Sequence, residues 1–239
     1  MKKPDTTTAV QNVRTHYPQM DPYVGANSGD NPYLLVGESH YLRKDTHADT
    51  SSEVWYAGDS VLDEQDRNWI DTAGIIREAV IVSNRHYPEH GIWYYGPLEI
   101  NKGGPDFNGS VNEILQKVYN RLVAFNFFLR PAKEGKSIKS ELEQIDISVA
   151  NENLIMMIEQ FKPKGIIITS SVVGDCVNKK YLKELGVPFV IAPHPSCFWW
   201  NRKCSKYGGK YGRELVSNFV NKTGWWDEED IAHNDDDQR

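Results

Sequence analysis

Leu34-Leu35-Val36-Gly37-Glu38-Ser39-His40-Tyr41 is the stretch whose reading decides the fold. An apolar run of strand formers stops at a glycine, and a cluster of chemically able side chains follows at once. In an α/β protein the strand holds the backbone rigid and the loop at its carboxyl end carries the chemistry. The layout repeats late in the chain. Val187-Pro188-Phe189-Val190-Ile191-Ala192 reads as a short strand, and Pro193-His194-Pro195-Ser196 as the loop at its end. The two loops are expected to face each other across one cleft.

Outward from these stretches, Leu122 to Leu129 reads as a strand of bulky apolar residues interrupted by Asn126. Gly165 to Thr169 reads as a buried strand, because it is apolar on both faces. Ile75 to Ser83 has helical spacing. Ser110 to Arg121 is a predicted helix: Ser110 and Glu113 have the capping-box spacing, and Val111, Ile114, Leu115, Val118 and Leu122 share one face. Further helices are predicted over Glu152 to Phe161, stopped by Pro163, over Val172 to Leu185, ended by Gly186, and over Tyr207 to Val220. Strands alternating with helices predict an α/β fold. The expected form is a three-layer α/β/α sandwich around a central, mostly parallel sheet, with strands at 33–36, 123–128, 165–169 and 187–192. Residues 1–226 are expected to be a single domain. It begins with a polar N-terminal arm over 1–30, with a short helix near Ala9 to Tyr17. Residues 42–72 read as a lid or inserted loop, 86–107 as an aromatic-rich surface loop, and 132–150 as a loop.

Hydrophobic content of 39% and charged content of 25% describe a soluble globular protein. No apolar run is long enough to span a bilayer, and the N-terminus lacks the apolar core of a signal peptide. A cytoplasmic monomer with no membrane partner is the expectation. Cys176, Cys197 and Cys204 give neither a disulfide framework nor a paired CxxC spacing, so no metal and no cofactor are expected. The net charge of −6 is concentrated at one end. Residues 227–239 hold seven of the 33 acidic residues and one of the 27 basic ones, which reads as an acidic disordered tail and leaves 26 of each sign elsewhere. A neutral body neither demands nor excludes a nucleic-acid partner; what matters is where the bases cluster.

Three segments, in order, resemble the signature elements of the uracil-DNA glycosylase superfamily. Gly37-Glu38-Ser39-His40-Tyr41 is similar to its water-activating loop, which begins Gly-Gln-Asp-Pro-Tyr in the best-known branch and Gly-Glu-Ala-Pro-Gly in the iron–sulfur branch. Asn126 within a strand, followed by Arg130-Pro131, resembles the base-reading asparagine strand. His194-Pro195-Ser196 matches the family's His-Pro-Ser loop unchanged. Strand 165–169 and helix 172–185 sit where the family has its penultimate strand and helix, and the similarity runs from residue 32 to residue 220. The resemblance implies a DNA repair enzyme that hydrolyses the N-glycosidic bond of a damaged or deaminated, uracil-type base in DNA. The iron–sulfur branch needs four cysteines, which this chain does not have.

The residues fit that chemistry as follows. Breaking an N-glycosidic bond builds positive charge on the sugar and negative charge on the departing base. A carboxylate, Glu38, can steady the first and orient water, and His194 can hold the second. The Asn126 carboxamide offers one acceptor and two donors to the edge of a pyrimidine. Gly37, Ser39, His40, Tyr41, Phe107, Asn126 and Ser196 are the expected substrate contacts. Phe107, Trp93 or Tyr94 would supply the aromatic platform for a base taken out of the stack, and Ser196 a phosphate contact. Arg202, Lys203, Lys206 and Lys210, with Arg213, are the expected DNA footing.

Two departures from the family pattern matter. Ser39 stands at the position of the water-activating Asp, and a serine is not an anion at neutral pH, so that role passes to Glu38 or is lost. Neighbouring side chains on extended backbone point apart, which works against Glu38. His40 replaces the family's proline. Two further readings therefore stand beside the glycosylase: a catalytically silent module that binds a nucleotide or nucleic acid, and a serine hydrolase using Ser39. Against the last, the run lacks the second glycine of a nucleophile elbow.

Overall fold

The sheet is built about β2, Tyr33–Leu42. The computed structural model describes residues 5–77, 118–195 and 197–224. The elements expected over 78–117, with Trp93, Tyr94 and Phe107, lie outside these residues, as do Ser196 and the tail over 227–239.

β2 pairs in parallel with β3 (Leu122–Lys133) on one side and with β4 (Gly165–Ile168) on the other. β4 pairs in parallel with β5 (Phe189–Ile191). β1 (Tyr23–Val24) adds antiparallel to the far side of β3, and the order is β1-β3-β2-β4-β5. The protein is thus mixed α/β with a mostly parallel five-stranded sheet. All four expected strands are in it. Among the described residues the α-helices of six residues or more are α1 (Thr6–His16), α2 (Ser52–Ala57), α3 (Glu64–Trp69), α4 (Gln144–Phe161), α5 (Ser171–Cys176), α6 (Lys179–Glu184) and α7 (Gly212–Thr223). No helix among the described residues is long and apolar enough to cross a membrane.

Alternation along β2 divides the core. Tyr33 and Leu35 join Ala124, Ile167, Trp200 and, from α7, Val216 and Val220. Leu34 and Val36 join Val123, Phe125, Ile166 and Ile168, covered by Leu154, Met157 and Ile158 of α4 and Val173 of α5. Each apolar face is buried by helices, which is what a parallel sheet apolar on both sides requires.

Several stretches differ from the sequence-based expectation. Gly37 to Tyr41 is not a loop: β3 runs on to Lys133 and keeps pairing with β2, Gly37 with Asn126 and Ser39 with Phe128, so the backbone stays in the ladder. The register shifts between Ser39 and Tyr41. Residues 1–30 are expected as an arm with a short helix near Ala9 to Tyr17; that helix is α1, starting at Thr6, but the segment also supplies β1 and packs on the core. α1 buries Ala9, Val10 and Val13, and Tyr17 behind it stacks on Trp55 with ring centroids 4.2 Å apart. Three apolar residues on one helical face suffice to dock a polar-looking segment.

Residues 42–72, expected as a lid or inserted loop, form α2 and α3, and Leu42, Ala48, Trp55, Tyr56, Leu62 and Ile70 belong to the core. Trp55 and Tyr56 are fully buried, and Trp55 Nε1 donates to the Leu129 carbonyl at 2.7 Å. Part of 132–150, expected as a loop, is the first half of α4. That half opens with a capping box between Glu143 and Asp146, and Asp146 takes a two-pronged bond from Arg130, Nε at 2.8 Å and Nη2 at 2.6 Å. The expected helix 172–185 is split into α5 and α6, because Asn178 breaks the run and caps α6 through Tyr181 N. The last helix starts at Gly212 rather than Tyr207: Gly208 and Gly209 sit at φ 65° and 76° and end the preceding turn.

Candidate functional site at the carboxyl edge of the sheet

Four parallel strands share a direction, so the ends of β2, β3, β4 and β5 open on one edge of the sheet. The last β2–β4 pair is Val36 with Ile168, and Ile168 pairs in turn with Ile191. Gly37 follows the first of these directly and His194 follows Ile191 by three residues, so both motifs lie at this edge. The chain leaves β2 toward β3 on one side and β4 toward β5 on the other. The crevice between β2 and β4 is therefore the point where strand order reverses, the usual ligand position in open α/β sheets.

Gly37 and Asn126 meet across the β2–β3 pairing. A Cβ added to Gly37 would collide with Oδ1 of Asn126. The missing side chain is what lets the carboxamide lie over β2. Ser39, two residues on, shares that face by alternation. It is 7% exposed, and its hydroxyl has no hydrogen-bond partner among the described residues.

Glu38 points the other way. Its Oε2 accepts from Ser170 Oγ at 2.5 Å and its Oε1 from Ser137 Oγ at 3.4 Å. Ser170 also caps α5, accepting from Val172 N and Val173 N at 3.1 and 3.2 Å. Ile138, next to Ser137, and Val173 belong to the core face of Val36, opposite the face of Asn126. Glu38 makes no ion pair with a described lysine, arginine or histidine. Ser137 and Ser170 were not expected from the sequence. Ser170 had one signal, its place just after a strand; Ser137 had none.

His40, expected at the substrate, is buried, and its Nε2 lies 3.0 Å from Thr72 Oγ1. Burial pushes its pKa down to about 4, so the ring is neutral near pH 7. It fastens β2 to the helical turn Thr72–Gly74. Ser39 thus lies in a strand, with its neighbouring imidazole engaged elsewhere, which is not the arrangement of a nucleophile elbow. Tyr41 is 41% exposed at the surface.

His194 is exposed, and its carbonyl accepts from Cys197 N at 2.8 Å. Of the aromatics after it, Trp200 is buried while Phe198 and Trp199 are exposed. The expected DNA footing is exposed at Arg202, Lys203, Lys206 and Lys210. Two of these are engaged within the protein: Arg202 lies over the Phe198 ring at 3.7 Å, and Lys206 Nζ pairs with Asp175 at 3.1 Å. Arg130, part of the family resemblance, is buried in an ion pair with Asp146. The three cysteines are free thiols, and no group of His, Cys, Asp and Glu among the described residues could hold a metal ion.

Comparison of the chain with models of protein families, with curated proteins and with solved structures returns no match.

Proposed function

We propose that this chain is a nucleobase-binding module of the uracil-DNA glycosylase kind, a three-layer α/β/α sandwich that keeps the base-reading side of the site and lacks its water-activating carboxylate. The observation that carries the reading is the Gly37–Asn126 pair: the glycine clears the space in which the carboxamide lies at the carboxyl edge. One acceptor and two donors in fixed positions suit the edge of a planar base. The β2 residue that shares this face is Ser39, and the nearest carboxylate on that strand, Glu38, is bonded to Ser170 behind it. A serine hydroxyl does not replace a carboxylate as a base for water, so the site binds and does not hydrolyse.

The second reading is hydrolysis of the N-glycosidic bond of a base in DNA. The exposed His194 loop at the same edge favours it, since a donor there could steady a departing base. One experiment separates the two. Calorimetry with free bases and nucleosides is run beside base-excision assays on single- and double-stranded oligonucleotides containing uracil, hypoxanthine or xanthine. We expect binding that Asn126→Ala abolishes, and no excision. Excision that depends on Glu38 or His194 would replace the binding reading with the second, and absence of binding to any base or nucleoside together with absence of excision would end both.

A further inference from the structure

We infer that the acidic segment from Asp227 to Asp237 docks on the basic loop from Arg202 to Lys210 of its own chain and shields that loop from polyanions. The inference is independent of the base reading of Asn126.

The first observation is charge. Residues 201–211 carry Arg202, Lys203, Lys206 and Lys210 and no acid. Residues 227–237 carry seven acids and no base. The two stretches flank α7, so opposite charges are tethered to the two ends of one helix.

The second is presentation. The four basic side chains are exposed. Their loop is closed on itself: Cys204 N donates to the Lys210 carbonyl at 3.2 Å, and Tyr207 N and Gly209 N both donate to the Cys204 carbonyl at 3.0 Å. Docking on a preformed loop orders little new backbone. The Lys206–Asp175 pair is exposed on both sides, and such a pair is weak enough to exchange one carboxylate for another. Arg202 lies over the Phe198 ring, and it is the N–H edge of a guanidinium that grips a carboxylate.

The third is reach. α7 starts two residues after Lys210, against Pro193 and Trp200 at the carboxyl edge of the sheet. It ends at Thr223, whose carbonyl accepts from Tyr33 Oη at 2.9 Å, where β2 begins. Its twelve residues put the two ends about 18 Å apart. A chain covers at most about 3.5 Å per residue. Asp227, three residues past Gly224, therefore falls short of the loop, at about 10 Å. Asp235, Asp236 and Asp237 lie eleven to thirteen residues past Gly224 and reach it with slack. A coil of that length has a mean span of roughly 17–21 Å. A tether whose span matches the distance gives the highest effective concentration, on the order of millimolar. That offsets the weakness of each exposed ion pair.

The test is carbodiimide cross-linking of the full chain, which joins a carboxylate to an amine in contact with it. Equal amounts of unlabelled and nitrogen-15-labelled protein are mixed, and the products are mapped by mass spectrometry. The Lys206–Asp175 pair is the internal standard. At about 10 mM salt we expect Lys203, Lys206 or Lys210 joined to Asp235, Asp236 or Asp237 within one chain, and loss of these products at about 1 M. Products of the segment only between labelled and unlabelled copies, or none beside the internal standard, overturn the inference. Shielding is read by fluorescence anisotropy with a single-stranded oligonucleotide at low salt. Asp235→Asn, Asp236→Asn and Asp237→Asn combined should bind about tenfold more tightly than the wild type. Asp227→Asn, Glu228→Gln, Glu229→Gln and Asp230→Asn combined should gain less, although four charges are removed rather than three. A gain that follows only the number of charges removed, or no gain, overturns it.

Discussion

Gly37 and Asn126 are register partners on adjacent parallel strands, and the carboxamide oxygen of Asn126 fills the space that a side chain at 37 would need. Gly37→Ala should therefore turn the Asn126 side chain rather than break the sheet, because the colliding atom is the end of a side chain. The expected stability cost is about 1 kcal/mol, with a loss of base binding close to that of Asn126→Ala, about 1–3 kcal/mol. The double variant should bind no worse than Asn126→Ala alone. Additive losses in a calorimetric double-mutant cycle would show that the two residues do not act together.

Asp146 takes both prongs of Arg130, the Tyr56 hydroxyl at 2.7 Å and the Glu143 N–H at 2.8 Å, with no exposure of its own. Asp146→Ala leaves the buried Arg130 without its counter-charge. The expected loss is roughly 3–5 kcal/mol in urea unfolding. A loss under about 1 kcal/mol would mean that water or another acceptor reaches Arg130.

His40 makes stability depend on pH. Its folded pKa is held near 4 by burial, against an ordinary 6.5. Between these values the unfolded chain binds the proton and the folded chain does not, so stability falls as pH drops from 6.5 toward 4, and this contribution falls no further below that. The span is worth roughly 3 kcal/mol. Urea unfolding of the wild type and His40→Asn across pH 4 to 7 should show the steeper acid loss in the wild type. Parallel curves would place the titration elsewhere.

Lys206 spends its charge on Asp175 at the surface. Asp175→Asn should raise the affinity for a single-stranded oligonucleotide and steepen its salt dependence by about one counterion. Charge reversal at Arg202 and Lys206 should lower affinity and flatten the slope. Fluorescence anisotropy at several salt concentrations reads both. Unchanged slopes in both variants would show that these bases are a solvated face only.

The parallel sheet was legible in the sequence because β2, β4 and β5 are short apolar runs bounded by glycine, proline or polar residues, and alternation with helices leaves few other ways to bury them. Asn126 and Gly37 were legible for a related reason: a carboxamide in an apolar strand and a glycine at the end of one are exceptions to their surroundings. The segments misjudged as arm, lid and loop share a different property. Their composition is polar, but a few residues in each, Val10 and Val13, Trp55 and Tyr56, or Asp146, find partners far away in the chain. Composition counts residues, whereas burial depends on which of them meet. The same limit applies to the site. That Glu38 and Ser39 point to opposite faces follows from strand alternation once β2 is known to continue past Gly37. That it continues was decided by β3, whose extension to Lys133 supplies hydrogen bonds to a backbone that would otherwise have turned into a loop. The pairing of Glu38 with Ser170 likewise needed β4 to stop at Ile168 beside it. Local pattern determined which strands exist; only the sheet determined where each one ends, because a strand continues as long as its neighbour supplies backbone partners.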